Sequence, residues 1–429
     1  MKVKTIKIVV LLMVLGQCRL MAFAPINFFP PYDPHLRLVH DARYGHCMVG
    51  TNVECAYGSY GFNKAGEKVN ILHIYEPNQA VIPMLMQPVN NPAAVEFLNA
   101  ITSANSGPAL DNGVRGHIVM GGKARMTDVT LQARGGFSID LFPGNIGLSI
   151  MVPVRHARVH EICFNDLTQS SNAADLDIKA LTGNEAVFKS KVKELGNLDL
   201  NAWCATGVGD VVIMLDWSHN FLQQNKRDLK SVELNAKLGL SCPSGRKKDE
   251  DKAFSLALGN DGAWALPFGL GMRLDFYGHV RVGIDAEVTF LFDSTKERRM
   301  KTAEHQTAFL LLNKELATMS HGVEWKFYLY GEGYDLGDGF SIRTAYEYCK
   351  QDGDTLIPKS DNFNVGIVNS ASWLRAWSMH DLIVSAHYDC PPKYHWPVSP
   401  QVSFYAKFPV GGRRSLMMPT IGGQVAINF

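Results

Sequence analysis

The chain has 429 residues, of which 46% are hydrophobic and 19% charged, and its formal net charge is +1. This near-neutral charge argues against a nucleic-acid partner, because proteins that bind nucleic acids concentrate Lys and Arg on their surface. A mean hydropathy of -0.05 excludes a bundle of membrane helices. It suits a membrane β-barrel, in which only every second strand residue faces lipid.

The first 24 residues predict a secretory signal peptide. A basic start precedes a short apolar stretch, and Ala22-Phe23-Ala24 forms a cleavage site of small residues. No later stretch approaches the roughly 18 apolar residues that a membrane-spanning helix needs. Residues 25–46 are rich in Pro and aromatic residues, and three alternatives stay open for them: a flexible leader, a periplasmic lid or a plug in a barrel lumen.

From residue 47 onward, apolar and polar residues alternate. In "VRVGIDAEVTFLFD", residues 280–293, the apolar positions fall on one face of a strand and the charged positions on the other. Soluble sandwiches also alternate, but their strands average roughly five or six residues, whereas a membrane strand needs about 9–11. The alternation predicts strands over 47–60, 116–141, 146–160, 205–220, 230–242, 264–276, 279–292, 322–334, 339–350, 372–388, 398–410 and 418–429.

The connections between these strands alternate in length. Long connections follow the first, third, fifth, seventh and ninth strands, and short ones lie between them. Outer-membrane barrels have long extracellular loops, short periplasmic turns and an even number of strands. The predicted fold is therefore all-β: a transmembrane, antiparallel, up-and-down β-barrel of 12 strands that occupies residues 47–429.

Three local features refine this prediction. An apolar stretch at 69–86 would add a hairpin and raise the count to 14 strands. The pairs Gly121-Gly122 and Gly135-Gly136 predict bulges, and "FPGN" at 142–145 predicts a turn. Within the loop 161–204, the sequence "NEAVFKSKVKELG" has helical spacing and predicts a short helix over the pore mouth.

The polar face of the strands carries both signs of charge. Two alternatives stay open for it: a polar conduit for small solutes, or a narrow interior filled by interlocked ion pairs. The predicted lumen-lining residues are Arg134, Glu233, Lys237, Arg273, Asp275, Arg281, Asp285, Glu287, Glu324, Lys326, Arg343, Glu347 and Lys407.

Neither a metal nor a cofactor is expected. No Cys or His cluster has the spacing of metal ligands, and a disulfide between Cys163 and Cys204 is one option for the cysteines. Ser385, His387 and Asp389 share one strand face, but next neighbours on a face are about 7 Å apart, which is too far for a direct hydrogen bond with ordinary rotamers. An enzyme is therefore not expected.

Two segments resemble known barrels. The terminal strand, with Ile421, Val425, Ile427 and Phe429 alternating, is similar to the C-terminal signature that the barrel-assembly machinery of outer membranes recognises. Gly209-Asp210 and Pro243-Ser244-Gly245 resemble a pattern in outer-membrane proteins of aromatic-degradation pathways, distant relatives of the FadL-type channels.

The resemblance implies a protein of the outer membrane of a diderm bacterium, whose partners are outer-membrane lipid, the assembly machinery and a small-molecule solute. Its expected function is passive uptake of small hydrophobic or aromatic solutes. The alternative is a surface-exposed structural or adhesion protein that uses the barrel as an anchor. The sequence leaves the oligomeric state open.

Overall fold

The computed structural model describes residues 47–85, 92–103, 115–139, 142–169, 173–223, 228–337, 339–390 and 398–429. The predicted signal peptide and the leader or plug at 25–46 lie outside these residues. Twelve antiparallel strands form a closed barrel. They are β1 (Cys47–Gly58), β2 (His117–Ile139), β3 (Phe142–Asp166), β4 (Val211–Leu222), β5 (Leu229–Cys242), β6 (Ala265–Phe276), β7 (Val280–Leu291), β8 (Glu324–Gly337), β9 (Phe340–Gln351), β10 (Trp377–Asp389), β11 (Ser399–Arg413) and β12 (Thr420–Asn428).

Each strand pairs with its sequence neighbour, and β12 closes the cylinder by pairing with β1. At this seam the Phe429 amide donates to the Cys47 carbonyl (3.0 Å) and the Cys47 amide donates to the Phe429 carbonyl (3.2 Å). Two further short strands join the sheet: Gln79–Ala80 beside β2, and Trp203–Val208, which continues β4 along β3. The prediction of a 12-stranded barrel is confirmed.

The outer wall of the barrel is apolar. Burial alternates along the strands, as in β1, whose outward side chains include Val49 and Val53 and whose inward ones include Asn52 and Glu54. Soluble proteins rarely expose a contiguous apolar surface of this extent, whereas a membrane barrel presents it to lipid. Phe429 lies on this outer wall, 51% exposed. Among the described residues, no helix is long and apolar enough to cross a membrane.

The two ends of the barrel differ. One end has tight turns, such as 277–279, and the other carries five long loops over 59–116, 167–202, 243–264, 292–323 and 352–376. The described parts of these loops and the short connection 414–419 pack together into what we call the cap. It contains α1 (Val81–Leu85), α2 (Pro92–Ser103), α3 (Ala173–Thr182), α4 (Glu185–Gly196), α5 (Val365–Val368), 3-10 turns at Ile71–His73 and Ser372–Leu374, and short strands at Tyr60–Phe62, Lys68–Asn70, Ser294–Arg299, Lys314–Ser320, Thr355–Pro358 and Ser415–Met417.

A hydrophobic core joins the cap to the end of the barrel. It is formed by side chains from several loops, among them Ile74, Phe188, Phe254 and Leu310, and by strand residues such as Met126. The predicted helix at 184–196 is confirmed as α4. The Asn184 side chain caps it by accepting hydrogen bonds from the amides of Ala186 (3.1 Å) and Val187 (3.3 Å).

Several local predictions are wrong. The predicted hairpin at 69–86 is described as far as Leu85, and residues 69–85 form parts of the cap rather than a membrane hairpin, because their apolar side chains pack into the core under the cap. The register shifts beside Gly121-Gly122 as predicted, but it stays regular at Gly135-Gly136. The "FPGN" segment is not a turn, since β3 begins at Phe142.

The predicted disulfide is also wrong, because Cys163 and Cys204 are both free. Cys204 lies opposite Arg158 on β3, five residues before Cys163. At about 3.4 Å per residue, this separates the two cysteines by roughly 17 Å, far beyond the reach of a disulfide.

Candidate solute-binding pocket and barrel interior

The predicted lumen-lining residues lie on the inner wall of the barrel, and none of them is exposed. Most of them form ion pairs with one another or with a further acid on the same wall. Arg343 binds Glu332 at 3.2 Å, and Lys407 binds Glu54 at 3.3 Å. The other pairs are Arg134–Asp216, Arg273–Glu233, Arg281–Asp275, Arg281–Glu332, Lys237–Glu287, Lys326–Glu287 and Lys326–Glu324. Asp285 accepts a hydrogen bond from Asn235 (3.4 Å), and Glu347 is buried on the same wall.

Several of these pairs cross an intervening strand. Arg134 on β2 makes two hydrogen bonds to Asp216 on β4, at 2.6 and 3.2 Å, and β3 runs between them. The crossing passes over Gly147 on β3, where a Cβ atom would overlap the Arg134 guanidinium. Gly269 on β6 gives Lys237 the same passage to Glu287. Inward glycines therefore set which charges can meet.

Sequence reasoning missed several inward residues. Glu332 and the buried Tyr328 and Tyr330 continue the alternation that starts at Glu324, so extending the pattern along β8 would have found them. Tyr405 on β11 donates to Glu54 (2.6 Å) and to Asn52 on β1. Rings and ion pairs therefore share the interior.

A cavity of about 160 Å³ lies between the cap and the barrel interior. Its lining includes barrel residues such as Met126, Arg155 and Trp377, and residues from all five long loops. We call it the cap pocket. The aromatic members of its lining are Tyr75, Phe309, Trp373 and Trp377.

The charged members of the lining hold the loops together. Arg299 is buried and donates to the carbonyls of Gly196 (2.9 Å) and Leu311 (2.9 Å) and to the Asp251 carboxylate (2.9 Å), which joins three loops. Asp261 accepts from Arg298 (2.7 Å) in the same way. These contacts fix the polar side of the cap pocket.

Two further contacts connect the pocket to the barrel wall. Arg155 on β3 binds Asp128 on β2 (2.8 Å) and donates to the carbonyl of Leu258 in the cap (2.9 Å). Arg155 and Asp128 are both almost fully buried, and breaking such a buried pair is costly. The wall and the cap therefore form one unit at this point.

The motif around Gly209-Asp210 and Pro243-Ser244-Gly245 also links loop and wall. Asp210 accepts hydrogen bonds from the amides of Gly245 (2.8 Å) and Asn260 (2.5 Å). Ser244 donates to the Gly209 carbonyl (3.1 Å). The two halves of the motif thus bind each other and position the loop 243–264.

The pKa values of two cap carboxyls show opposite effects. Burial raises the pKa of Asp261. The positive charges of Lys296 and Arg298 together lower it by more than burial raises it, so the pKa lies below its usual value. Burial raises the pKa of Glu76 above its usual value, despite hydrogen bonds from Ser372 and the Ala308 amide.

Ser385 and His387 do form a hydrogen bond, contrary to the sequence expectation. Ser385 Oγ lies 2.9 Å from His387 Nε2, and Ser403 Oγ lies 2.8 Å from His387 Nδ1. Ser385 and Ser403 are both buried on the inner wall. The side chains lean toward each other, which shortens the separation expected from an ideal strand.

A closed antiparallel barrel with an even strand number, an apolar outer wall, a polar inner wall and long loops at one end defines the outer-membrane class of β-barrel. No protein-family model matches the chain, and no curated protein matches its sequence. The fold is similar to that of an outer membrane channel from Pseudomonas putida F1, with a TM-score of 0.51, 10% identity, and coverage of 91% of this chain and 100% of that one.

Two other solved structures are more distant. The β domain of the Bordetella autotransporter BrkA has a TM-score of 0.36 and 8% identity, and the match covers 89% of this chain and 98% of that one. A deletion mutant of TodX, described as a monoaromatic hydrocarbon channel, has a TM-score of 0.37 and 8% identity, with coverage of 90% and 91%.

Proposed function

We propose that this protein is a passive outer-membrane channel for small aromatic solutes, which enter through the cap pocket. One observation carries the proposal: the pocket lies directly above the polar inner wall and combines aromatic rings with fixed charges. Its volume of about 160 Å³ is similar to the roughly 150 Å³ of an apolar cavity that binds benzene, so a single aromatic ring fits by size. The charged residues in the lining distinguish this pocket from that apolar cavity and suit an aromatic solute with a polar substituent.

The inner wall then forms the second part of the path. Its ion-paired lining residues, from Arg134 to Lys407, provide polar contacts for a solute that carries a polar substituent. The proposal includes cleavage of the signal peptide, insertion by the barrel-assembly machinery and residence in outer-membrane lipid. It assigns no catalytic role to the chain.

The adhesion alternative is less well supported. An anchor for surface loops would present them outward, whereas the five long loops here pack on one another and on the barrel wall. Arg299 and Arg155 each hold loop backbone by hydrogen bonds in this arrangement.

The proposal is tested with a substitution that fills the cap pocket. Ala308 lines it, and Ala308→Trp places an indole ring in the cavity. Ala286→Trp makes the same change among the lipid-facing residues of β7 and serves as the matched control. Binding of phenol to purified protein is measured by calorimetry, and uptake of labelled phenol is measured in proteoliposomes.

We expect Ala308→Trp to weaken binding and slow uptake at least tenfold while Ala286→Trp behaves as wild type. Equal phenol uptake by both variants, or no uptake by the wild type above protein-free vesicles, would contradict the proposal. Heat-modified migration on gels verifies that both variants fold.

A further inference from the structure

On the side of the barrel formed by β1, β2, β3 and the segment Trp203–Val208, the outer wall changes from apolar to more polar side chains between one outward position and the next. Four outward valines lie opposite one another across these strands: Val53, Val129, Val154 and Val208. The next outward residues toward the cap are Cys55, Thr127, His156 and Thr206. The valine row therefore marks the cap-side edge of the lipid-facing belt.

The following outward step carries two positive charges side by side. Arg125 on β2 lies directly opposite Arg158 on β3, and both are exposed. Directly opposed like charges destabilise a sheet, because their Cβ atoms are only about 5 Å apart. Within the described residues, no carboxylate lies within ion-pair distance of either guanidinium.

The neighbouring charges leave this patch positive. Lys123 follows on β2 and forms an ion pair with Glu161, and the exposed Tyr57 lies opposite Arg125. Counting Lys123, Arg125 and Arg158 against Glu161 gives a net charge of +2 with the histidines neutral. We call these residues the basic patch.

The height of the patch matches a lipid headgroup. From Val154 to Arg158 the strand rises by about 14 Å, which becomes about 10 Å along the membrane normal at a strand tilt of about 45°. The headgroup region begins at the edge of the hydrocarbon and is about 5–8 Å thick. The backbone of Arg158 therefore lies about 2–5 Å beyond the headgroup region. Its flexible side chain reaches back over this distance, so the guanidinium can lie among the headgroups.

We propose that the basic patch binds a phosphate group of a lipid in the leaflet on the cap side, with Arg125 and Arg158 on either side of the phosphate. Guanidinium groups bind phosphate oxygens in bidentate fashion, and a shared anion removes the repulsion between the two arginines. The proposal needs only that the barrel spans a membrane, not that it conducts a solute.

The test uses the purified full-length protein in neutral detergent. The probes are bis-phosphorylated lipid A, the same lipid A after removal of both phosphates, and inorganic phosphate. Apparent Kd values are measured by native mass spectrometry for the wild type and for Arg125→Gln/Arg158→Gln. The matched control is Lys350→Gln/Lys359→Gln, which removes two positive charges outside the patch.

We expect phosphorylated lipid A to bind the wild type and the control at least tenfold more tightly than it binds the arginine double variant. Removal of the lipid phosphates should cause a similar loss in the wild type. Equal binding of both lipids, undiminished binding by the double variant, or equally tight binding of inorganic phosphate alone would overturn the proposal.

A second measurement compares the unfolding temperatures of the wild type and Arg125→Gln with and without lipid. Without lipid, Arg125→Gln should unfold at the same temperature as the wild type or a higher one, because a repulsion is removed. With phosphorylated lipid A, the wild type should gain more thermal stability than Arg125→Gln. An equal gain in both proteins would contradict the role of this arginine.

Discussion

Inward glycines decide which charges meet inside the barrel. Gly147 and Gly269 each lie on a strand between two partners of an ion pair, and a side chain at either position would occupy the space through which the longer partner passes. Glycine weakens a strand because it packs no side chain. The ion pairs that cross these positions offset that loss, since each has at least one partner that is largely buried.

Gly147→Val tests whether an inward glycine leaves the room that a crossing ion pair needs. The valine would collide with the Arg134 side chain, which must then leave Asp216. We expect a loss of about 1–3 kcal/mol in the free energy of unfolding, the usual cost of overpacking. The measurement is urea-induced unfolding in lipid vesicles, followed by tryptophan fluorescence.

Gly331→Val is the control, because Gly331 lies on β8 with open space where its Cβ atom would be. It should unfold like the wild type. A similar loss in both variants would indicate a general cost of replacing strand glycine rather than a blocked crossing.

At the scale of elements, the cap depends on charges that connect loops otherwise far apart in the sequence. Asp261 in the loop 243–264 binds Lys296 (2.8 Å) and Arg298 (2.7 Å) in the next loop. It also accepts a hydrogen bond from the backbone amide of Lys248 (2.9 Å). Asp261 itself adopts a left-handed backbone conformation. Asn tolerates this conformation well, so that Asp261→Asn changes the charge with little change in shape.

The cap should loosen in acid before the barrel does. The pKa of Asp261 is lowered in the fold, so its contribution to stability is complete above its ordinary value and is lost as the pH falls through the lowered one. Hydrogen exchange of peptides from 248–261 and 294–314 should therefore accelerate below about pH 4, the ordinary pKa range of Asp.

Asp261→Asn should exchange faster than the wild type at neutral pH and should show a smaller further increase in acid. Exchange rates are corrected for pH with an unstructured reference peptide, and peptides from β6 and β7 serve as the internal control. A wild-type cap that is as well protected at pH 3 as at pH 7 would contradict this role for Asp261.

At the scale of the whole molecule, the barrel is held by a seam between its first and last strands. β1 pairs with β12 along nine residue pairs, from Met48–Asn428 to Ala56–Thr420. The outward residues of β12 include Ile421, Val425 and Ile427, and Phe429 follows on the same face. Strand pairing fixes the seam, while these side chains remain available to lipid or to an assembly factor.

Phe429→Ser should reduce the amount of folded protein in the outer membrane severalfold, because the terminal aromatic residue is part of the proposed recognition signal. Phe404→Ser makes the same change on the lipid face of the adjacent β11, where the side chain is 67% exposed. It should reduce the yield far less. The measurement is the heat-modifiable fraction in isolated membranes, and equal yields of the two variants would argue against a terminal signal.

The sequence predicts the strands well and the loops poorly. Alternation along β7 or β12 follows directly from the contrast between lipid and the interior, so the strand count and the polar face are readable. The cap pocket is different, because residues such as Tyr75, Phe309 and Trp373 come from separate loops and have no common spacing. Arg134–Asp216 likewise depends on a pairing register that alternation alone does not fix.

The seam has a consequence for the order of biogenesis. Strand β1 gains its second partner only when β12 is present, so every shorter fragment of the chain exposes two unpaired strand edges. A chain that lacks Thr420–Asn428 would leave one edge of β1 and one edge of β11 unpaired, so the eleven remaining strands would form an open sheet rather than a slightly narrower closed cylinder.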